Sequence, residues 1–308
     1  MIVNPVRSLI LAAAGSDAVR RVVSTAPVTR RVARRFVAGE TPAEALDRTG
    51  DLVEHGLRVT LGHLGGAAAD RRTAERTVQT HLALLDQLHD SGLAGDAEVS
   101  LRLSAVGQAL DERLALDSAT RICAAAEQGG TTVTLDMEDH TTTDSTLRVL
   151  AELHRAWPST GVALQARLRR TPADCRALAG HRVRLCKGAY AEPASVAFTD
   201  PHEVDLNYVR CANALLAGPG YPMFATHDPR LIGIVAERAR WHDRAPEGFE
   251  FQLLLGARPA EQARLAAEGH VVRVYAPHGE QWYGYLTRRL AERPADAALF
   301  LRSLVSRS

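Results

Sequence analysis

Residues 132–168 read TVTLDMEDHTTTDSTLRVLAELHRAWPSTGVALQARL, and this stretch contains a whole strand, helix, strand unit. Thr132–Asp136 is a short β-branched run that ends in an acid. Leu147, Leu150, Leu153 and Trp157 then recur on one helical face, and Val162–Leu168 is a second apolar run. Strands joined through a helix lie parallel, in a sheet covered by helices. The alternation continues in both directions. Strands are expected at Leu57–Leu61, Val99–Leu103, Thr132–Asp136, Val162–Leu168, Val183–Cys186, Met223–Thr226, Phe249–Leu254 and Val271–Tyr275. Val78, Leu82 and Leu85 share another helical face, while Asp200-Pro201 and Asp228-Pro229 each offer an N-cap followed by proline at the first helical position. Eight such units favour an α/β fold closed as a (β/α)8 barrel, and no G-x-G-x-x-G turn supports an open dinucleotide-binding sheet.

The chain has 308 residues with 46% hydrophobic content, which suffices for one domain over residues 1–308, with residues 1–55 expected as a helical N-terminal arm. Basic residues number 37 and acidic ones 36, so no global positive field exists to collect nucleic acid. Cys123, Cys175, Cys186 and Cys211 are scattered without a C-x-x-C pair, which fits a reducing cytoplasmic setting rather than a disulfide framework or a zinc site. The apolar stretch Ser8–Ala14 is far shorter than a bilayer span. Val19–Val37 interleaves arginines with valines and Phe36, which reads either as a solvated helical arm or as a face for the membrane surface.

In a barrel of this kind the chemistry sits at the carboxyl ends of the strands. The second strand ends around Arg102, whose guanidinium needs an anion, and Asp136 at the end of the third can supply it. Asp136, Glu138 and His140 also invite a metal reading, but no second ligand cluster accompanies them. Gln165 places an amide within an apolar strand, either as a satisfied core group or as a ligand reader. Lys187 is the only lysine in an arginine-rich chain, so the broader guanidinium does not serve there. Gly188-Ala189 after it lets backbone N–H groups approach a ligand. Thr226-His227-Asp228-Pro229 joins a hydroxyl, an imidazole and a helix start, a weak phosphate signal by itself. Arg288 and Arg289 grip one carboxylate only if their helix faces the cavity.

LRLSAVG, TLDMEDH, ALQARLRRT, VRLCKGAY, FATHDP, FEFQLLLG and VYAPHGEQWYGYLTRRLAERP occur in this order, and as a set they resemble the proline dehydrogenase family. The resemblance runs from the first strand to Pro294. It implies a distorted (β/α)8 barrel with its last helix over the mouth, FAD as cofactor, and oxidation of L-proline to Δ1-pyrroline-5-carboxylate. Hydride would pass from proline C5 to flavin N5, and electrons onward to a membrane quinone. Residue by residue, it implies that Arg288 and Arg289 hold the proline carboxylate, with Glu292 bracing them. Tyr275, Tyr190 and Leu254 would pack around the ring, Arg102 and Asp136 would pair beside it, and Arg184 would lie near the reactive edge of the flavin. Met137, Gln165, Lys187, Gly188, Ala189, Thr226 and His227 would be further FAD contacts. A separate pyrroline-5-carboxylate dehydrogenase would take the product, and the enzyme would be cytoplasmic with peripheral contact at the inner face of the membrane.

Three positions depart from that pattern: Arg102 stands where lysine is expected, Gly66 where glutamate is, and Asp296 where asparagine is. Two other readings stay open from the residues alone. Lys187 suits a Schiff-base lyase, which would carry no flavin. A barrel without activity would bind FAD and leave proline untouched.

Overall fold

The computed structural model describes residues 33–292, with side chains through Thr287. Eight parallel strands follow one another around a closed ring: β1 (Arg58–His63), β2 (Ala97–Leu101), β3 (Val133–Leu135), β4 (Gly161–Gln165), β5 (Arg182–Cys186), β6 (Tyr221–Ala225), β7 (Glu250–Leu254) and β8 (Val271–His278). The ring closes where β8 pairs with β1, Tyr275 opposite Thr60. Helices alternate with the strands: α1 (Pro42–Glu54), α2 (Arg71–Asp90), α3 (Glu112–Gln128), α4 (Thr143–Leu153), α5 (Thr171–Ala177), α6 (Pro201–Ala217), α7 (Pro229–Trp241), α8 (Pro259–Ala267) and α9 (Trp282–Glu292).

Each expected strand is present, with shifted ends that have local causes. β2 stops at Leu101 because Leu103–Val106 tightens into a 3-10 turn, leaving Arg102 at the junction. β4 stops at Gln165, whose carbonyl accepts from Leu168 N as the chain turns back. β8 runs past Tyr275 because its pairing with β1 continues to His278. Asp200 and Asp228 cap α6 and α7 with proline following, as their sequences require.

The main apolar core lies between the barrel wall and the helices. Val59, Leu61, Val99, Leu101, Leu135, Val162, Leu185, Phe224, Phe251 and Val274 point outward from the strands. They meet Val78, Leu84, Leu85, Val149, Leu150, Leu215 and Val235 from the helices. Each such side chain taken fully from water stabilises the fold by about 1.5–3 kcal/mol.

The expected N-terminal arm is in part a wall helix. Thr41 and Glu44 form a capping box around Pro42, so α1 starts firmly, and it packs outside β1 and β8 through Ala45 and Leu52. With α1 in that place, the helix after β8 is free of it. Trp282, Tyr283, Tyr285 and Leu286 of α9 instead cluster with Ala33, Phe36, Val37 and Leu64, beside the carboxyl end of β1. Phe36 is therefore packed against α9 and does not belong to a membrane-facing surface. Residues 1–32, which hold the rest of the arginine-rich segment, lie outside the described residues.

Candidate active site

Alternation sends the Val, Leu and Phe side chains outward, so the lumen is left to the residues between them. A barrel interior of this architecture usually fills with branched apolar groups. Here it is charged. Thr60 on β1, Glu98 and Ser100 on β2, Arg184 on β5, and Glu250 and Gln252 on β7 hydrogen-bond across it, with Arg182 and Arg273 lower in the stack. Buried charges persist only when paired. Arg182, Arg184 and Arg273 answer Glu98, Glu250 and Asp136.

Arg184 is the centre of this stack. Its Nε donates to Gln252 Oε1 at 2.6 Å, and Nη1 donates to Asp136 Oδ1 at 2.7 Å and Ser100 Oγ at 3.1 Å. Nη2 donates to Glu98 Oε1 at 2.9 Å and Thr60 Oγ1 at 3.5 Å. A guanidinium has five N–H donors, and all of these are engaged. Below it, burial alone would raise the Glu98 carboxyl, but Arg273, Arg182 and Arg184 outweigh burial and hold it down at about 2.

Above it, Asp136 follows β3 directly and faces the mouth. Ser100 Oγ donates to its Oδ1 at 2.5 Å and Tyr275 Oη to its Oδ2 at 2.9 Å. Burial and the neighbouring carboxylate push the Tyr275 hydroxyl well above the usual phenol range, so it stays a donor. Gly62 makes room for this contact, since a Cβ there would stand 2.3 Å from Tyr275 Oη. Leu254 lies opposite Tyr275 in the pairing of β7 with β8. Tyr190 Oη donates to the Met137 carbonyl at 3.4 Å, which draws the loop after β5 over the end of β3. Burial, then Glu138, raises the Tyr190 hydroxyl to about 12.

The expected pair between Arg102 and Asp136 is not made. Asp136 belongs to Arg184, and Arg102 Nη2 donates to the Gly65 carbonyl. The early end of β2 is the cause, because the 3-10 turn swings Arg102 toward the loop after β1. The acidic run after β3 is also divided: Glu138 accepts from Ser104, while His140 contacts Glu192 through Nδ1 at 2.5 Å. Asp136, Glu138 and His140 therefore do not converge.

The remaining predicted residues line the loops at the same end. Lys187 Nζ lies 2.6 Å from Asp205 Oδ1 and 3.2 Å from Asp228 Oδ2, so it is an ion-paired cation at the rim. Hydrogen bonds from Arg230 first, and then from Lys187 despite partial burial, hold Asp228 well below the usual carboxylate range. Gly188 has φ +101, and a Cβ there would lie 2.5 Å from Gln165 Oε1, so glycine is required twice over. Ala189 beside it is exposed. Gln165 Nε2 donates to Glu192 Oε1 at 2.8 Å and to the Glu138 carbonyl at 3.2 Å, while its buried Oε1 has no hydrogen-bond partner. Thr226 Oγ1 accepts from Asp228 N, and His227 Nε2 accepts from Leu254 N at 2.9 Å. Arg288, Arg289 and Glu292 fall in the last turns of α9, and their side chains lie outside the described residues.

Glu98 and Glu192 escape a reading of the sequence. Glu98 precedes the apolar run that marks β2, though the alternation Glu98, Ser100, Arg102 was there to extend the strand backward. Glu192 sits in a loop with no periodicity, yet its side chain is 1% exposed and binds His140 and Gln165 together. The assembled mouth presents one fixed carboxylate, that of Asp136, with Leu254 opposite Tyr275 beside it. Its charged groups already have partners, in one another or in nearby backbone and hydroxyl groups, which suits positioning more than nucleophilic attack.

The comparisons with known proteins agree along nearly the whole chain. The family model described as proline dehydrogenase matches residues 45–300. Proline dehydrogenase 1 of Bacillus subtilis (strain 168) is 36% identical over 281 residues, covering 91% of this chain and 92% of that one. Proline dehydrogenase of Deinococcus radiodurans is 38% identical over 281 residues, covering 89% and 90%. Among solved structures, proline utilization A from Bdellovibrio bacteriovorus inactivated by N-propargylglycine superposes with a TM-score of 0.80 at 25% identity. That match takes in 86% of this chain and spans 33% of the larger protein. With a closed barrel, a carboxylate at its mouth and matches of this extent, the chain belongs to the proline dehydrogenase family.

Proposed function

We propose that the protein is a proline dehydrogenase of proline catabolism that uses FAD to oxidise L-proline to Δ1-pyrroline-5-carboxylate. The observation that carries this is Asp136, oriented by Arg184 and Tyr275 at the barrel mouth, in a chain matched by the family over residues 45–300. When bound, FAD supplies the two-electron acceptor for the C5–H bond of proline, and the protein supplies position and electrostatics.

The residues at the mouth fit such a cofactor. Gln165 Oε1 is a buried acceptor lacking a partner, and Gly188 leaves the loop after β5 without a side chain where the backbone must come close. Met137, Gln165, Lys187, Gly188, Ala189, Thr226 and His227 would hold the cofactor. Arg184 has no donor left over, so its part is to fix Asp136 and set the local charge. Tyr275, Tyr190 and Leu254 would enclose the pyrrolidine ring, and Arg288 and Arg289, braced by Glu292, would take the carboxylate. We also propose a membrane quinone as the electron acceptor, reached by a cytoplasmic enzyme in peripheral contact with the membrane, and a separate pyrroline-5-carboxylate dehydrogenase as the next partner. Among the described residues no helix is long and apolar enough to cross a membrane.

The deciding experiment is an absorbance spectrum between about 300 and 550 nm before and after anaerobic addition of L-proline. Flavin bands that bleach on addition are the expected result. Bands that persist would remove proline as substrate, and a protein that takes up no FAD would remove the flavin chemistry. Arg288→Ala and Arg289→Ala should each raise KM for proline about ten- to a hundredfold, the loss of one charge-assisted hydrogen bond to a carboxylate.

A further inference from the structure

The stack inside the barrel gives Arg184 two counter-ions at different depths. Asp136 meets Nη1 from the mouth and is 16% exposed. Glu98 meets Nη2 from beneath and is 1% exposed. Glu98 reaches no ligand, since Arg184 and Thr60 stand over one of its oxygens and Arg182 takes the other at 2.8 Å. Its placement is nevertheless specific. With Arg184 bonded above and below, the guanidinium has one plane and one height, and its charge is divided between two carboxylates.

We propose that Glu98 is a positioning residue for the redox site: by sharing Arg184 with Asp136 it sets the net charge presented at the barrel mouth. This rests on the flavin reading above. The physics is simple. In a buried stack an added or removed charge is weakly screened, so its field is felt one layer away. Removing the Glu98 charge leaves the stack one unit more positive, and a more positive surrounding stabilises whichever state of a bound redox group carries more negative charge. Removing the Arg182 charge has the opposite sign because a positive charge is lost, and Arg182, which pairs with Glu98 from the far side, does not touch Arg184 or Asp136 in any contact described.

The test is the midpoint potential of the bound flavin in the holoenzyme, read by dye-coupled titration, for wild type, Glu98→Gln, Glu98→Asp and Arg182→Gln. Glu98→Gln should favour the reduced form about tenfold, an upward shift of about 30 mV for a two-electron couple. Arg182→Gln should shift the potential downward. Glu98→Asp, which keeps the charge, should stay near wild type even where it lowers the melting temperature. A purely structural role predicts no ordered change of sign, so shifts in one direction for both charge-removing variants, or none, overturn the proposal. If Glu98→Gln does not fold, Arg182→Gln decides alone: an unchanged or raised potential overturns it. A wild-type protein that binds no FAD overturns the flavin reading itself, and is distinguished from failure of this inference by the absence of any flavin spectrum.

Discussion

Tyr275 Oη donates to Asp136 Oδ2 at 2.9 Å while Arg184 Nη1 holds Oδ1 of the same carboxylate at 2.7 Å. Gripped from both sides, Asp136 has one orientation toward the mouth. Tyr275→Phe removes one grip and keeps the ring. A hydrogen bond to a charged group contributes about 1.5–3 kcal/mol, so kcat/KM for proline should fall roughly ten- to a hundredfold. Steady-state kinetics check this, and an unchanged kcat/KM would take the Tyr275 hydroxyl out of the site.

Gly62 tests the same contact from the other side. A Cβ at that position would overlap Tyr275 Oη and its ring carbon Cζ, at 2.3 and 2.6 Å. Gly62→Ala should therefore push Tyr275 off Asp136 and lower kcat/KM at least as far as Tyr275→Phe does. Combined with Tyr275→Phe, its kinetic cost should be less than additive, since both remove one interaction. Full additivity in that double-mutant cycle would separate the two residues.

A third expectation concerns acid. His63, His81 and His278 cluster at the ends of β1 and β8 and on α2, with ring centroids 5.8 Å apart for His63 and His81 and 5.6 Å for His63 and His278. Burial, reinforced by the neighbouring imidazoles, lowers His63 to about 4 and His278 to about 3. These groups bind fewer protons folded than unfolded between their folded values and about 6.5. Their neutral state thus contributes stability that is complete above about pH 6.5 and is lost progressively as pH falls toward 4. Melting temperatures measured across that range should decline, and His278→Leu should flatten the decline. A wild-type melting temperature constant from pH 7 to 4.5 would contradict this.

The barrel was legible because its signal is periodic. Val162–Leu168 and the helical face of Leu147, Leu150 and Leu153 announce themselves without a partner, and each of the eight strands was found near its apolar run. Asp136 was legible from its place at a strand end, Tyr275 and Arg184 from motif resemblance, and their mutual contact adds the geometry. Arg102 misled because strand alternation was carried one residue too far, past the point where the chain tightens at Leu103. Glu98, marked only by a faint alternation with Ser100 and Arg102, and Glu192, marked by nothing, escape for another reason. A buried acid is recognisable only from the groups that surround it, and those come from β1, β4, β5 and the loop after β3.

Glu192 should behave as a loop fastener. It accepts from the His140 backbone and from Gln165 Nε2, and its Oε2 lies 2.5 Å from His140 Nδ1. Glu192→Ala leaves one N–H of the buried Gln165 amide unpaired, with only the Glu138 carbonyl still accepting from it, which costs about 1–3 kcal/mol. The melting temperature should drop by several degrees, about 2–4 °C per kcal/mol for a domain of this size. Limited proteolysis should find the segment between β5 and α6 cut faster than in wild type. Equal cutting rates would argue against the fastening role.

Lys187 gives the last test. Its ammonium is clasped by Asp205 and Asp228, so incubation with a small carbonyl compound and borohydride should leave no adduct on Lys187 by peptide mass spectrometry. A reduced adduct at that residue would reopen lyase chemistry.

The place of α1 has a consequence for how the molecule is made. Among the described elements this helix precedes every strand, yet one of the two strands it packs against is β8, the last of the eight. Its apolar face must wait until all eight strands have been made for that cover, and contacts so far apart in sequence form slowly. Ring closure is then a late event that joins β8 to β1, and α9 is left to settle over the rim only after the wall beneath it exists.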